Sequence, residues 1–148
     1  MGIIELFKGK KVYLDTNLFI YILEGYSEYN EFFSDFIRGL ENHDFVCFTS
    51  ELTLAELLVP TFKKKKSQLL VKYKEMLNNS DFVTLIPTIQ EIYIRSASNR
   101  ANFGLKLPDA IHVASAQIVG CDLFLTNDQG IKTPKNIKRI ILSDLKES

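Results

Sequence analysis

The stretch from Lys11 to Asn17 constrains the fold more than any other part of the chain. Its run Val12-Tyr13-Leu14 has no polar alternation, which is typical of a strand buried on both faces of a parallel sheet. The run ends at Asp15, and an apolar helical pattern begins at Leu18. A carboxylate therefore follows a predicted central strand, at the sheet edge where open α/β folds bind ligands. Asp15 would equally suit the N-cap of the following helix.

Short apolar runs of the same kind recur along the chain between helical patterns. Further strands are predicted at Phe45–Thr49, Phe82–Ile86, Leu123–Leu125 and Ile137–Leu142. Helices are predicted from Leu18 to Leu23, after Ser27 as N-cap, from the N-cap Ser50 to Pro60, over Leu69–Leu77, over Ile89–Phe103 and from Leu107 to Gly120. Strands that alternate with helices indicate a parallel sheet covered on both faces. The sequence thus predicts a three-layer α/β/α sandwich of about five parallel strands, in one domain over residues 1–148.

Composition excludes several classes of protein. The hydrophobic fraction of 46% argues against disorder, and 18 basic residues balance 18 acidic ones, so net charge does not indicate nucleic-acid binding. No apolar run reaches the length of a membrane span, and the N-terminus lacks a signal-peptide pattern. Cys47 lies within the apolar run Phe45–Thr49 and Cys121 just before the run Leu123–Leu125, and the two have no metal-ligand spacing, which suits buried thiols in a reducing compartment. A soluble cytoplasmic protein is expected.

Four acidic residues stand out by their positions. Asp128 follows a strand as Asp15 does, so two parallel strands would bring both carboxylates to one edge. Asp109 falls in the first turn of a helix that starts with Pro, as is favoured there. Glu56 lies within a very apolar helix, near the border of a core face that we expect to contain Leu52, Ala55, Leu58 and Val59.

Acidic groups gathered at one place repel one another, and a bound cation usually neutralises their charge. Ligation by oxygen alone favours Mg²⁺ or Mn²⁺, which activate water and clamp phosphate oxygens during phosphodiester cleavage. The alternative is that these acids are helix caps and surface charges, and position along the chain leaves that choice open.

Four motifs in order resemble the signatures of the PIN-domain family. They are Val12-Tyr13-Leu14-Asp15-Thr16-Asn17, the segment Ser50 to Leu57, the segment Leu107 to Ala116, and Leu125-Thr126-Asn127-Asp128. The resemblance implies an α/β/α sandwich and a Mg²⁺- or Mn²⁺-dependent endoribonuclease whose acidic residues are Asp15, Glu56, Asp109 and Asp128. Members of this size resemble VapC-type toxins, which implies an RNA substrate, a small antitoxin protein that covers the site, and a homodimer. One departure is that Gly130 and Ile131 stand where the family often has an acid and an aromatic residue.

Several other residues have two interpretations. Asn17 and Thr126 are candidate substrate-binding residues, and Thr16 a weaker one, although all three also suit local turns. His112 lies one helical turn after Asp109 and is more simply a hydrogen-bonded structural residue than a general base.

Charged and aromatic runs are similarly ambiguous. Lys63–Lys66 is either a solvated turn or part of a path for the RNA backbone, to which Arg95, Arg100 and Lys106 would add. The aromatic residues Phe32, Phe33 and Phe36 are expected in the core or at a homodimer surface.

Two other functions remain open on sequence grounds. A catalytically inactive PIN-fold module that binds RNA or protein is compatible with Gly130-Ile131. Another α/β phosphohydrolase is disfavoured, because a haloacid-dehalogenase-like phosphatase would need Asp at Asn17, and no acidic pair of a receiver module precedes Asp15.

Overall fold

A five-stranded parallel sheet in the order β3-β2-β1-β4-β5 organises the chain in the computed structural model, which describes residues 3–145. The strands are β1 Lys11–Leu14, β2 Val46–Ser50, β3 Thr84–Ile86, β4 Leu123–Thr126 and β5 Lys138–Ile141. Each neighbouring pair is parallel, and β1 lies at the centre between β2 and β4. The predicted sheet is confirmed, while the first two and last three residues of the predicted 1–148 domain lie outside the described range.

Helices cover both faces of this sheet. They are α1 Thr16–Ile20, α2 Asn30–Glu41, α3 Glu51–Lys63, α4 Ser67–Leu77, α5 Gln90–Phe103, α6 Leu107–Val119 and α7 Leu142–Leu145. Val12 and Leu14 of β1 pack into a core with residues of α1, α2 and α4, whereas Tyr13 faces a second core built with α5 and α6. The predicted α/β/α sandwich is therefore confirmed. Within residues 3–145, no helix is long and apolar enough to cross a bilayer.

The phenylalanines of α2 belong to the core. Phe36 is fully buried, and its ring centroid lies 4.8 Å from that of Phe45 and 5.5 Å from that of Phe7. Phe32 and Phe33 are also buried in the same cluster. Of the two expectations for these three rings, core packing is correct. Cys47 and Cys121 are buried free thiols, as expected, and burial raises the pKa of Cys121 to about 12.

Three helix ends follow the sequence signals. The Ser50 hydroxyl accepts a hydrogen bond from the backbone N–H of Leu52 at 3.0 Å, which makes Ser50 the N-cap of α3. Gly104 and Gly120 end α5 and α6 in the left-handed conformation, with φ of 68° and 73°. Glycine adopts this conformation without the steric cost that a Cβ brings.

The prediction that Pro60 ends its helix is wrong, because α3 continues to Lys63. Proline removes one helical N–H, in this case the donor that the carbonyl of Glu56 would have used. The loss falls in the last turn, and Lys64 donates its N–H to the carbonyl of Pro60 at 3.0 Å to close the helix. A proline so near the end interrupts one hydrogen bond without stopping the helix.

The predicted core face of α3 is also wrong in part. Its buried residues are Thr53, Leu57 and Thr61, whereas Val59 is half exposed and Ala55 is exposed. The buried threonine hydroxyls find partners, for Thr53 lies 2.7 Å from the hydroxyl of Thr49 in β2. Hydrogen bonding thus allows the polar side chain of Thr53 to face the sheet, whereas apolar periodicity alone would place Val59 on the core face.

Smaller boundary differences occur elsewhere. The helix predicted over 18–23 begins at Thr16 and passes into a π-helical turn at Tyr21–Gly25. Ser27 starts a 3₁₀ turn, and α2 begins only at Asn30 without a side-chain cap, so the predicted Ser27 cap is wrong. The strand predicted over 82–86 is shortened to β3, because a turn draws the N–H groups of Phe82 and Val83 to the carbonyl of Asn79. The last strand keeps only Lys138–Ile141 of its predicted 137–142 range.

Candidate active site

The four predicted acidic residues lie along the carboxyl edge of the sheet. Asp15 and Asp128 follow the adjacent strands β1 and β4, and Glu56 lies on α3, which begins where β2 ends. Asp109 lies in the first turn of α6. Polar groups at this edge are close enough to interact, since His112 Nε2 lies 2.7 Å from Glu56 Oε1 and 3.9 Å from Asp15 Oδ1.

Asp15 is buried and held on both carboxylate oxygens. Its Oδ1 accepts a hydrogen bond from the Thr16 backbone N–H at 2.8 Å, so it does act as the N-cap of α1. Its Oδ2 accepts a hydrogen bond from the hydroxyl of Thr126 at 2.6 Å. The capping role and a place at the acidic edge are therefore compatible, because the helix begins at the edge itself.

Glu56 is half-buried and points toward the start of α1. Its Oε1 receives the hydroxyl of Thr16 at 2.6 Å and lies 2.7 Å from His112 Nε2. Burial raises the pKa of Glu56, but the hydrogen bonds from His112 and Thr16 outweigh that effect and leave the pKa below its ordinary value. The carboxylate is therefore ionised at neutral pH.

The neighbouring acids contribute to a raised pKa at Asp109. Burial raises its pKa, and the negative charges of Asp128 and Asp15 raise it further, against a smaller opposing effect of Lys106. Like-charge repulsion of this kind shows that the three aspartates share one electrostatic environment. The same effects place Lys106, at the N-cap of α6, beside the acidic edge.

Asp128 is exposed and stabilises its own turn. Its Oδ1 accepts the Gly130 N–H at 2.8 Å, and its own N–H donates to the Thr126 hydroxyl at 3.0 Å. A Cβ added at Gly130 would lie 3.1 Å from Asp128 Oδ1, so the glycine keeps this carboxylate uncrowded. Ile131 is buried in the core of α5 and α6. The departure from the family pattern thus changes the rim beside Asp128 and leaves its carboxylate in place.

The two predicted substrate-binding residues have different surroundings. Asn17 is exposed in the first turn of α1, at the acidic edge. Thr126 is fully buried, and its hydroxyl is engaged with both Asp15 and Asp128. Its geometry favours a role in orienting Asp15 over direct contact with a substrate.

A buried polar network lies beneath the acids, and the sequence-based predictions anticipated only one part of it, the hydrogen-bonded structural role of His112. Thr49 donates to the Leu14 carbonyl at 2.8 Å and contacts the hydroxyl of Thr53, which lies 3.4 Å from the hydroxyl of Thr16. Tyr13 lies 2.6 Å from His112 Nδ1. One signal was available, because Tyr13 carries the only side-chain hydroxyl within the apolar run of β1.

The chemistry of the donors fits a hard divalent cation. Asp15, Glu56, Asp109 and Asp128 would supply oxygen only, and the repulsion at Asp109 is what a cation would relieve. As the side chains of residues 3–145 are placed, no three Asp, Glu, His or Cys groups lie close enough to form a ligand set.

Known proteins share this architecture. The sequence model of the PIN domain matches residues 12–136. A chain of a toxin-antitoxin complex from Klebsiella pneumoniae is similar at 26% identity and a TM-score of 0.62, over 85% of this chain and 94% of that one. A chain of VapBC2 from Rickettsia felis, bound to a DNA fragment from their promoter, has 16% identity and a TM-score of 0.69, over 88% of this chain and 98% of that one. No curated protein is significantly similar in sequence. Because the matched segment spans most of the chain and includes all four acids, the chain belongs to the PIN-domain family.

Proposed function

We propose that this chain is a Mg²⁺- or Mn²⁺-dependent endoribonuclease and acts as the toxin of a toxin–antitoxin pair in the cytoplasm. The observation that carries the proposal is the position of Asp15, Glu56, Asp109 and Asp128 along the carboxyl edge of the sheet, where His112 Nε2 lies 2.7 Å from Glu56 Oε1 and 3.9 Å from Asp15 Oδ1. Such a concentration of negative charge is costly unless it serves to bind a cation. PIN domains as a family are nucleases, which agrees with this use of the acids.

Each residue has a proposed role. Asp15, Glu56 and Asp109 hold the ion directly or through water, and Asp128 completes the charge. When bound, the ion supplies an activated water and a clamp on phosphate oxygens. Asn17, exposed at the edge, hydrogen-bonds the RNA backbone, and Thr126 keeps the Asp15 carboxylate in place.

Similarity to toxin–antitoxin complexes supports the proposed partners. The Klebsiella structure is such a complex, and its matched chain is covered over 94% of its length. We therefore propose a small antitoxin protein that covers the acidic edge, and a homodimer as the assembled form of the toxin.

Purified protein incubated with structured RNAs tests the proposed activity. We expect cleavage with Mn²⁺ or Mg²⁺ and none with EDTA, because the proposed reaction depends on the ion for its activated water and for the clamp on phosphate oxygens. A generic phosphomonoester in a parallel reaction should stay intact. Hydrolysis of the monoester without RNA cleavage would replace this proposal with a phosphatase.

An inactive binding module is the second candidate. Two observations favour it: the lack of a ready ligand set among residues 3–145, and Gly130 at the rim beside Asp128. Calorimetric titration with Mn²⁺ distinguishes the two, since an inactive site should bind the ion weakly or not at all.

Replacing Lys63–Lys66 with glutamate should weaken RNA binding. Lys64 and Lys66 line a cavity of about 60 Å³ together with Glu56, so this turn lies directly beside the acidic edge. Each phosphate that the variant no longer neutralises should reduce the slope of log K against log salt by about 1. Fluorescence anisotropy of a labelled RNA over a series of salt concentrations measures both effects.

The matched control changes the same amount of charge elsewhere. Lys8, Lys10, Lys135 and Lys138 are exposed near the amino ends of the strands, and their replacement by glutamate should alter the salt slope less. Equal effects from the two sets would mean that overall charge, and not a path at the α3–α4 turn, governs RNA binding.

A further inference from the structure

The hydroxyl of Tyr13 fixes the protonation pattern of the residues behind Glu56. It accepts a hydrogen bond from the backbone N–H of Ser50 at 3.1 Å. A backbone N–H can only donate, so one lone pair of the Tyr13 hydroxyl is occupied. The proton of Tyr13 is then free to be donated to His112 Nδ1, 2.6 Å away. A histidine nitrogen that accepts a hydrogen bond carries no proton, so the proton of a neutral His112 resides on Nε2.

The other side of His112 requires that same arrangement. Nε2 lies 2.7 Å from Glu56 Oε1, and a carboxylate oxygen accepts, so the ring nitrogen must donate. A doubly protonated ring would leave the hydroxyl proton of Tyr13 without an acceptor, because Nδ1 would then donate toward it. The neutral ring with its proton on Nε2 therefore satisfies every hydrogen-bonding group in the chain that links Ser50 N–H, Tyr13, His112 and Glu56.

These hydrogen bonds occupy one oxygen of Glu56, and the other oxygen has no hydrogen-bond partner among residues 3–145. Oε1 receives both His112 Nε2–H and the Thr16 hydroxyl, the latter at 2.6 Å. Both aromatic rings are immobilised by packing, since Tyr13 is fully buried and stacks on Phe124 at a centroid distance of 4.9 Å. His112 is 1% exposed. The orientation of the Glu56 carboxylate is therefore set from inside the fold.

We propose that Tyr13 and His112 are positioning residues that make Glu56 a one-oxygen ligand, presenting Oε2 alone to the divalent ion. The inference rests on the proposed metal-dependent function for the ion itself. A one-oxygen carboxylate suits the octahedral shell of Mg²⁺ or Mn²⁺, with bonds of about 2.1 Å, whereas Ca²⁺ readily takes both oxygens of a carboxylate. The hydrogen bonds from Tyr13 through His112 to Glu56 thus favour binding of Mg²⁺ or Mn²⁺ over Ca²⁺.

The tautomer of His112 is measurable without any metal. The chain has only two histidines, so ¹⁵N-labelled imidazole spectra contain two patterns, and the exposed His43 provides the solvent reference. From this hydrogen-bond geometry we expect the proton of His112 on Nε2 and none on Nδ1, and we expect this single tautomer to be lost in Tyr13→Phe. A proton on Nδ1 in the wild-type chain would overturn the inference.

Ion selectivity provides the second measurement. Calorimetry with Mn²⁺ and Ca²⁺ should show that Tyr13→Phe and His112→Gln each weaken Mn²⁺ binding by roughly 10-fold, in the range found when a ligand's hydrogen-bond partner is removed. Ca²⁺ binding should change less, because a released Glu56 can offer both oxygens. The ratio of the two affinities should therefore narrow, which a loss of stability alone would not produce.

Ser115→Ala is the matched control. Ser115 is buried on the same helix, and its hydroxyl donates only to the Ile111 carbonyl at 2.7 Å, so both affinities should stay at wild-type values. If Tyr13→Phe and His112→Gln both bind Mn²⁺ as the wild type does, with an unchanged ratio of Mn²⁺ to Ca²⁺ affinity, the inference is overturned and the proposed function stays intact. Failure of the wild-type chain to bind Mn²⁺ would overturn both.

Discussion

Replacing Asp15 with asparagine should reduce RNA cleavage by about 10³-fold while the chain stays folded. A ligand to a divalent ion contributes several kcal/mol to the stabilisation of transition-state charge, and each 1.36 kcal/mol corresponds to a factor of about ten in rate. Asparagine keeps the shape and still caps a helix well, so it can accept the Thr16 N–H as Asp15 does. Initial rates at saturating Mn²⁺, together with circular dichroism, measure the two expectations.

The control for this substitution is Asp81→Asn. Asp81 is exposed and precedes β3, at the opposite edge of the sheet, so its removal should leave the rate within about twofold of the wild type. If Asp15→Asn instead cleaves RNA at the wild-type rate, Asp15 acts only as a helix cap. The proposal that Asp15 is a metal ligand would then be contradicted.

The parts of the fold that the sequence predicts are those set by local chemistry. The run of β1 is apolar on both faces, and only the centre of a sheet covered on both sides provides such surroundings. Gly104 and Gly120 end their helices because glycine adopts the required backbone angles at low cost. The positions of Asp15 and Asp128 follow from the parallel direction of their adjacent strands.

The parts that escape prediction depend on contacts between distant segments. Thr53 faces the sheet beside Thr49, whose hydroxyl donates to the carbonyl of Leu14, 35 positions away, and periodicity in α3 does not reveal this. The pairing of Tyr13 with His112 joins residues 99 positions apart. His112 was recognisable as a polar residue one turn after Asp109, but its two partners emerge only from the packing of α6 against β1 and α3.

These cases share one physical origin. Burial of a polar group is tolerated only when a partner is supplied, and the partner usually lies far away in sequence. In the part of the chain that the structure describes, no buried side-chain nitrogen or oxygen lacks such a partner. The acids at the exposed edge are different, because the repulsion that Asp128 and Asp15 exert on Asp109 keeps its pKa raised despite the nearby charge of Lys106.

Asp109→Asn should therefore make the metal-free protein slightly more stable and the enzyme about 10²- to 10³-fold slower. The folded-state pKa of Asp109 is raised by burial and by Asp128 and Asp15, so folding favours its protonated form. The stability that this provides is present below the unfolded-state pKa and is lost as the pH rises through the folded-state pKa. At neutral pH the ionised carboxylate destabilises the folded state, and asparagine removes this effect. The free energy of unfolding should rise by less than about 1 kcal/mol, because the group is half exposed.

Metal addition should reverse the order of stabilities. An ion at about 100 times its dissociation constant stabilises the wild-type chain by about 2.7 kcal/mol, and a variant with one ligand fewer should gain less. Thermal unfolding of both proteins from acidic to neutral pH, with EDTA and then with Mn²⁺, compares the two states, and Asp81→Asn should follow the wild type throughout. If Asp109→Asn is less stable than the wild type with EDTA at neutral pH, the carboxylate contributes to the fold and not to a strained cation site. A variant that matches the wild-type gain with Mn²⁺ would remove Asp109 from the ligands.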